Sequence, residues 1–101
     1  MRVVWATDIH LNFPGFKGRD VFFSSIRAQQ PDVVFVTGDI AEAPSLTHLL
    51  HEMRQAIQVP LYFVLGNHDF YYGSISRIRN DLQRWCQIQP GLTYLSTSRL
   101  V

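Results

Sequence analysis

Three short clusters of polar residues carry side chains of the kinds that bind divalent metal ions. The clusters are Asp-Ile-His at residues 8–10, Gly-Asp at 38–39 and Gly-Asn-His-Asp at 66–69. They offer carboxylate, imidazole and amide groups, a mixed set that suits Mn²⁺, Fe or Zn²⁺ better than Ca²⁺. Asp8 and His10 are two positions apart, so their side chains point the same way in an extended segment. The residue types therefore predict a metal site.

Each cluster directly follows a run of apolar residues that is typical of a buried strand. The runs occupy residues 3–7, 33–37 and 61–65 and are continuous rather than alternating, as in parallel sheets covered on both faces. The carboxyl ends of parallel strands meet at one edge of the sheet, where ligands bind in α/β folds. The clusters follow one another at intervals of about 30 residues, the length of one βαβ unit. We therefore expect them to converge on one site.

Amphipathic segments between the strands predict three helices. The first covers about residues 20–30, the second follows an N-cap at Ser45, and the third begins near residue 74 and ends before Pro90. A fourth strand at 92–95 completes a β-α-β-α-β-α-β order, which predicts an α/β fold with a parallel sheet and right-handed crossovers. The residues expected to face the core are Val21, Phe22, Phe23 and Ile26 in the first helix, Leu46, Leu49, Leu50, Met53, Ala56 and Ile57 in the second, and Ile75, Ile78, Leu82, Trp85 and Cys86 in the third.

In this order and at strand ends, the three clusters resemble the first three motifs of the calcineurin-like metallophosphoesterases, D-x-H, G-D and G-N-H-[DE]. A lone D-x-H or G-D occurs in many unrelated chains, whereas G-N-H-D after an apolar strand and the ordered trio are specific. The resemblance covers nearly the whole chain. It implies that residues 1–101 are a single unit similar to the N-terminal half of that family's domain, which is a two-sheet sandwich with outer helices.

The resemblance implies a role for each polar residue of the clusters. Asp8 and His10 would bind a first metal ion. Asp39 would bridge it to a second ion, which Asn67 would bind through its amide oxygen. His68 would be a catalytic residue that faces the phosphate and protonates or stabilises the leaving group, while Asp69 is expected to be a structural hydrogen-bonding residue. Two divalent ions (Mn, Fe or Zn) would activate a hydroxide that hydrolyses a phosphomonoester or phosphodiester.

The family's later motifs, a lone His and then G-H-x-H, have no counterpart in this sequence. The remaining histidines, His48 and His51, belong to the predicted second helix. The second ion would then have only Asp39 and Asn67, and two protein ligands seldom hold a catalytic metal tightly, so the chain would hold one ion or none. The alternative is a catalytically inactive, truncated relative that acts as a metal-binding or protein-interaction module. A nucleotide-binding domain is disfavoured because no G-x-G-x-x-G or Walker-type loop is present.

Composition restricts the class of protein further. Of 101 residues, 47% are hydrophobic and 17% are charged, with a net charge of +1. These values exclude a disordered chain and give no case for nucleic-acid or membrane-surface binding. The single cysteine, Cys86, excludes an intrachain disulfide, and no apolar run approaches the roughly 20 residues of a membrane span. We therefore expect a cytoplasmic protein whose small-molecule partner is a phosphate ester.

The predicted arrangement also implies a macromolecular partner. Helices on one side of the sheet leave the other face bare, and this apolar face exceeds the few hundred Å² that soluble monomers expose. We therefore expect either association with a missing C-terminal half or a homo-oligomer of this chain.

Overall fold

The computed structural model describes residues 1–12, 15–70 and 72–95 of the chain. Four strands form one parallel sheet in the sequential order β1-β2-β3-β4. They are β1 (Val3–Thr7), β2 (Val33–Thr37), β3 (Leu61–Val64) and β4 (Leu92–Tyr94). The predicted α/β class and the parallel β-α-β-α-β-α-β order are thereby confirmed.

Three helices connect consecutive strands, namely α1 (Phe16–Ala28), α2 (Leu46–Ile57) and α3 (Ile75–Gln87). Short 3-10 turns at Ala43–Ser45 and Asn67–Phe70 precede α2 and α3. A sequential strand order with one helix per connection follows from crossovers of a single hand, and such crossovers place the helices on one face of the sheet. None of the helices in the described ranges combines the length and the apolar character needed to cross a membrane.

One hydrophobic core joins the helices to this face of the sheet. Alternate strand residues are fully buried in it, among them Val34 and Val36 of β2 and Leu61 and Phe63 of β3. The rings of Phe63 and Tyr94 stack with their centroids 5.4 Å apart. The apolar stripe predicted for α2 at spacings of three and four residues supplies the facing side of the core. Its buried members are Leu46, Leu49, Leu50, Met53 and Ile57.

The first helix differs from the prediction in its bounds and in one core residue. It covers residues 16–28 rather than about 20–30. Val21 was expected in the core but is 70% exposed, whereas Phe23 and Ile26 are buried. Positions two apart on a helix point in different directions. Because Phe23 and Ile26 define the buried side, Val21 falls on the solvent side.

Two details of the other helices also differ from the prediction. Ile75, the first residue of α3, is 54% exposed, although the rest of its predicted stripe is buried or packs against the core. Ser45 precedes α2 as expected, but its hydroxyl donates to the carbonyl oxygen of Glu42 instead of capping the helix. Helix α2 is therefore stabilised by its apolar stripe rather than by a side-chain cap.

The opposite face of the sheet is open and carries a row of aromatic side chains. Trp5, Phe35 and Tyr62 are register partners across β1, β2 and β3. The Phe35 and Tyr62 rings stack with centroids 5.3 Å apart, and Trp5 is 70% exposed. Within the described residues, the expectation that the strands are buried on both faces is thus wrong, since the three helices cover one face and Trp5 on the other face is exposed.

Candidate metal centre

The polar loops that follow β1, β2 and β3 lie side by side, because backbone hydrogen bonds continue beyond the strands. The N–H of Asp8 donates to the carbonyl oxygen of Gly38 over 3.2 Å, and the N–H of His10 donates to the backbone carbonyl oxygen of Asp39 over 3.0 Å. The N–H of Gly38 donates in turn to the carbonyl oxygen of Val64 at the end of β3, also over 3.0 Å. The three polar clusters therefore meet at one edge of the sheet.

The backbone adopts the left-handed conformation at three of the predicted site residues. Asp8, His10 and Asp39 have φ values of 53°, 45° and 49°, and Gly38 has a φ of 84°. Positive φ is uncommon for residues with a side chain, and such residues cluster at functional sites. The expectation that Asp8 and His10 share an extended segment is wrong, because both turn out of the extended conformation directly after β1.

His10, Asp39 and His68 present ligand atoms to one small space. One donor atom from each lies within 4.8 Å of the others, and the two imidazole rings meet edge to face with centroids 5.1 Å apart. The side chain of Asp8 lies beside that of Asp39 and contributes to lowering the pKa of Asp39. The hydroxyl of Thr7 donates to Oδ2 of Asp8 over 2.9 Å and so orients that carboxyl group.

Asp39 links the loop after β2 to the loop after β3. Its Oδ1 accepts a hydrogen bond from the backbone N–H of His68 over 3.0 Å, and its Oδ2 lies 3.2 Å from Nδ1 of the same histidine. Burial raises the pKa of Asp39, but the His68 N–H, the Asp8 side chain and the His68 ring outweigh burial. The pKa of Asp39 is therefore lowered from its usual 3.8, and this group is a carboxylate at neutral pH.

Asn67 lies at the edge of this arrangement. It is the first residue of the 3-10 turn Asn67–Phe70, and its side chain is exposed, whereas the side chain of His68 is partly buried. The structure thus brings together the side chains of Asp8, His10, Asp39 and His68. It places the amide of Asn67 next to them in the chain, on the solvent side of the turn.

Asp69 is fully buried and accepts three backbone hydrogen bonds. Its Oδ1 accepts from the N–H groups of Ile40 and Ala41, and its Oδ2 accepts from that of Gly66, each over 2.8 Å. Burial raises the pKa of Asp69, and the three N–H donors oppose this rise without reversing it. The expectation that Asp69 is a structural hydrogen-bonding residue is confirmed.

A further connection between the loops was not predicted from the sequence. The side-chain amide of Asn12 donates to Oε1 of Glu42 over 3.1 Å, and this bond ties the loop after β1 to the loop after β2. The two residues are 30 positions apart and belong to no motif. Only the register of β1 against β2 brings them together, so no local signal in the sequence marks this pair.

The side chains at the sheet edge fit a divalent metal ion. Two imidazole rings and two carboxyl groups are donors that Mn²⁺, Fe and Zn²⁺ accept, and three protein ligands suffice for a catalytic metal. Three donor atoms already lie within 4.8 Å of one another. A cation among them would also be attracted by the carboxylate of Asp39.

Comparison with known proteins gives consistent matches. A family model described as calcineurin-like phosphoesterase matches residues 1–99. A UDP-2,3-diacylglucosamine hydrolase of Photobacterium profundum is 31% identical over 107 aligned positions, which cover 94% of this chain and 40% of the relative. A transmembrane protein with metallophosphoesterase domain of Bos taurus is 31% identical over 80 positions, covering 75% of this chain and 18% of the relative. The chain thus spans less than half the length of either relative.

Proposed function

The chain belongs to the calcineurin-like phosphoesterase family, and on that premise we propose that it is a metal-dependent phosphoesterase unit. The substrate is a phosphomonoester or a phosphodiester. The observation that carries this proposal is the convergence of His10, Asp39 and His68, whose ligand atoms lie within 4.8 Å of one another at the carboxyl edge of the sheet. Because the two relatives have different names, we propose phosphate esters as a class and no individual substrate.

The metal ligands in this proposal are four residues from three loops. Asp8, His10 and Asp39 would hold a first divalent ion, and Asp39 and Asn67 would hold a second. Mn²⁺ is our first choice, with Fe and Zn²⁺ as the alternatives that the same donors accept. When bound, such ions lower the pKa of water and offset the negative charge of a phosphate ester. The position of Asp39 supports its assignment, since one of its carboxylate oxygens lies within 4.8 Å of donor atoms of His10 and His68.

His68 is the proposed catalytic residue. Its backbone N–H donates to Asp39, and its Nδ1 faces the same carboxylate at 3.2 Å. These two contacts place His68 next to the proposed metal ligands. We assign the other ring nitrogen, Nε2, the task of carrying a proton to the leaving oxygen, because histidine is the side chain that most often acts as a general acid or base in catalysis.

We also propose that residues 1–101 are one unit, equivalent to the N-terminal half of a two-sheet phosphoesterase domain, and that they work in the cytoplasm. The open aromatic face of the sheet and the 40% coverage of the bacterial relative support the first point. A C-terminal half or a second copy of this chain would cover that face. The single cysteine, Cys86, is compatible with a reducing compartment.

The second candidate function is a catalytically inactive module that binds a metal ion or another protein. The exposed side chains of Val3 and Trp5 favour it, because an open apolar face is typical of an interaction surface. The proposed second metal has only two ligands, which also favours a chain that holds one ion without turnover. The two candidates differ in catalysis rather than in metal binding.

Hydrolysis of para-nitrophenyl phosphate and bis(para-nitrophenyl) phosphate with and without Mn²⁺ separates these candidates. We expect Mn²⁺ to stimulate hydrolysis by the unaltered chain and Asp39→Asn to abolish the stimulation. The matched control is Asp32→Asn, because Asp32 also accepts a backbone hydrogen bond, from Arg2, but lies at the opposite end of β2. Mn²⁺ binding without turnover, even with excess metal, would favour the inactive module and contradict the phosphoesterase proposal.

A further inference from the structure

Two carboxylates link the loop after β2 to the loop after β3, and each loop contributes one of them. Asp39 belongs to the loop after β2 and accepts the N–H of His68 in the loop after β3. Asp69 belongs to the loop after β3 and accepts the N–H groups of Ile40 and Ala41 in the loop after β2. Each loop therefore supplies an acceptor that the other loop needs.

Asp69 differs from Asp39 in that it is fully buried, so it cannot contact a substrate in solution. Its Oδ1 fixes the residue directly after Asp39, and its Oδ2 fixes Gly66, two residues before His68. Three backbone N–H groups converge on one carboxylate, and hydrogen bonds to a charged acceptor are stronger than those between neutral groups. Asp69 therefore constrains the backbone next to Asp39, at Ile40, and the backbone close to His68, at Gly66.

We propose that Asp69 is a positioning residue, whose carboxylate sets the placement of Asp39 against His68 by holding the two loops in register. This inference rests on the proposed function of that site for its catalytic consequence, but its structural content stands on the three hydrogen bonds. Asp69 acts through its neighbours, because residues that orient metal ligands tune a site without touching the substrate.

Amide hydrogen exchange of the metal-free chain tests this coupling directly. The amide of His68 is bonded to Asp39 and not to Asp69, so it reports on positioning rather than on a lost partner. In Asp69→Asn one side-chain atom becomes an N–H₂ donor that faces at least one backbone donor. We expect the His68 amide to exchange at least about tenfold faster, while amides of α2 and β4 change less, as in a local opening.

Ile57→Val is the matched control, since Ile57 is a buried residue of α2 and its truncation lowers overall stability without touching the loops. Asp69→Glu keeps the carboxylate and should preserve the slow exchange of His68, even if Asp69→Asn does not fold. Exchange of His68 that accelerates in Asp69→Asn no more than in Ile57→Val would overturn the proposal. The proposal would also be overturned if the His68 amide lost its slow exchange equally in Asp69→Asn and Asp69→Glu.

Calorimetric titration with Mn²⁺ adds the functional arm. We expect Asp69→Asn to bind Mn²⁺ about ten- to a hundredfold more weakly than the unaltered chain, the usual effect of removing a group that orients ligands. Ile57→Val should bind Mn²⁺ as the unaltered chain does. If the unaltered chain binds no Mn²⁺, the proposed function fails while the exchange measurement still decides the role of Asp69. Unchanged Mn²⁺ affinity in Asp69→Asn would contradict the positioning role.

Discussion

A single carboxylate, that of Asp39, accepts the backbone N–H of His68 and faces the ring of the same residue. One oxygen accepts the His68 N–H over 3.0 Å, and the other lies 3.2 Å from Nδ1 of the ring. The two residues follow neighbouring strands, so this contact spans the β2–β3 boundary at the carboxyl edge of the sheet. The position of the proposed proton donor therefore depends on the position of the proposed metal ligand.

The lowered pKa of Asp39 predicts how the metal-free chain responds to acid. A carboxyl group whose pKa falls on folding stabilises the folded state above its usual pKa of 3.8, and this stabilisation is lost as the pH falls through the folded-state value. In the presence of a chelator, we expect the free energy of unfolding to decrease once the pH is lower than about 3.8. Asn at this position does not titrate, so Asp39→Asn should lose less stability over the same range. Urea unfolding at a series of pH values measures this, and parallel profiles for the two proteins would contradict it.

Because Gly66 has no side chain, the carboxylate of Asp39 can lie against it. A larger residue at position 66 should therefore disturb the site. A Cβ at this position would overlap Oδ1 of Asp39 and lie 2.7 Å from its backbone nitrogen. We expect Gly66→Ala to lower the free energy of unfolding by about 1–3 kcal/mol, the usual cost of overpacking, and to weaken Mn²⁺ binding. Gly15→Ala is the control, because no described atom lies within 4 Å of its added Cβ. Equal stability and Mn²⁺ affinity in the two variants would rule out this steric account.

The strands and the order of the site residues were predictable from sequence, because a continuous apolar run followed by a polar cluster is a local signal. The start of α1 was not, since Gly15 precedes it without a side-chain cap and no acidic residue marks the first turn. The left-handed backbone conformations of Asp8 and His10 were not predictable from the sequence either. They are stabilised by hydrogen bonds to Gly38 and Asp39, which only the paired strands bring into reach.

The thiol of Cys86 should be unreactive in the folded chain. Burial raises the pKa of Cys86 from 9.0 to about 11, and the backbone of Tyr94 opposes this rise only in part. Because the thiolate is the nucleophile, this shift reduces the reactive fraction near neutral pH by about a hundredfold. We expect iodoacetamide to alkylate the folded chain correspondingly more slowly than the chain in guanidinium. Similar rates in both states, followed by mass spectrometry, would contradict the burial of this side chain.

The open face of the sheet should mediate self-association when no other partner covers it. Trp5 and Val21 are both 70% exposed, but Trp5 lies on this face and Val21 lies on α1. We expect sedimentation velocity to show association that grows with concentration, and Trp5→Arg to reduce it because a charge resists burial. Val21→Arg should leave association unchanged. A well-folded monomer at all concentrations would refute this prediction.

If the ends of β1, β2 and β3 form one metal site as we propose, the chain binds Mn²⁺ with an affinity that depends on Asp39. Calorimetric titration of the unaltered chain, Asp39→Asn and Asp32→Asn needs neither a known substrate nor a second half of the domain. We predict that the unaltered chain and Asp32→Asn bind Mn²⁺ alike, and that Asp39→Asn binds it at least about tenfold more weakly. Absence of binding to the unaltered chain, or equal affinity in Asp39→Asn, would contradict the claim.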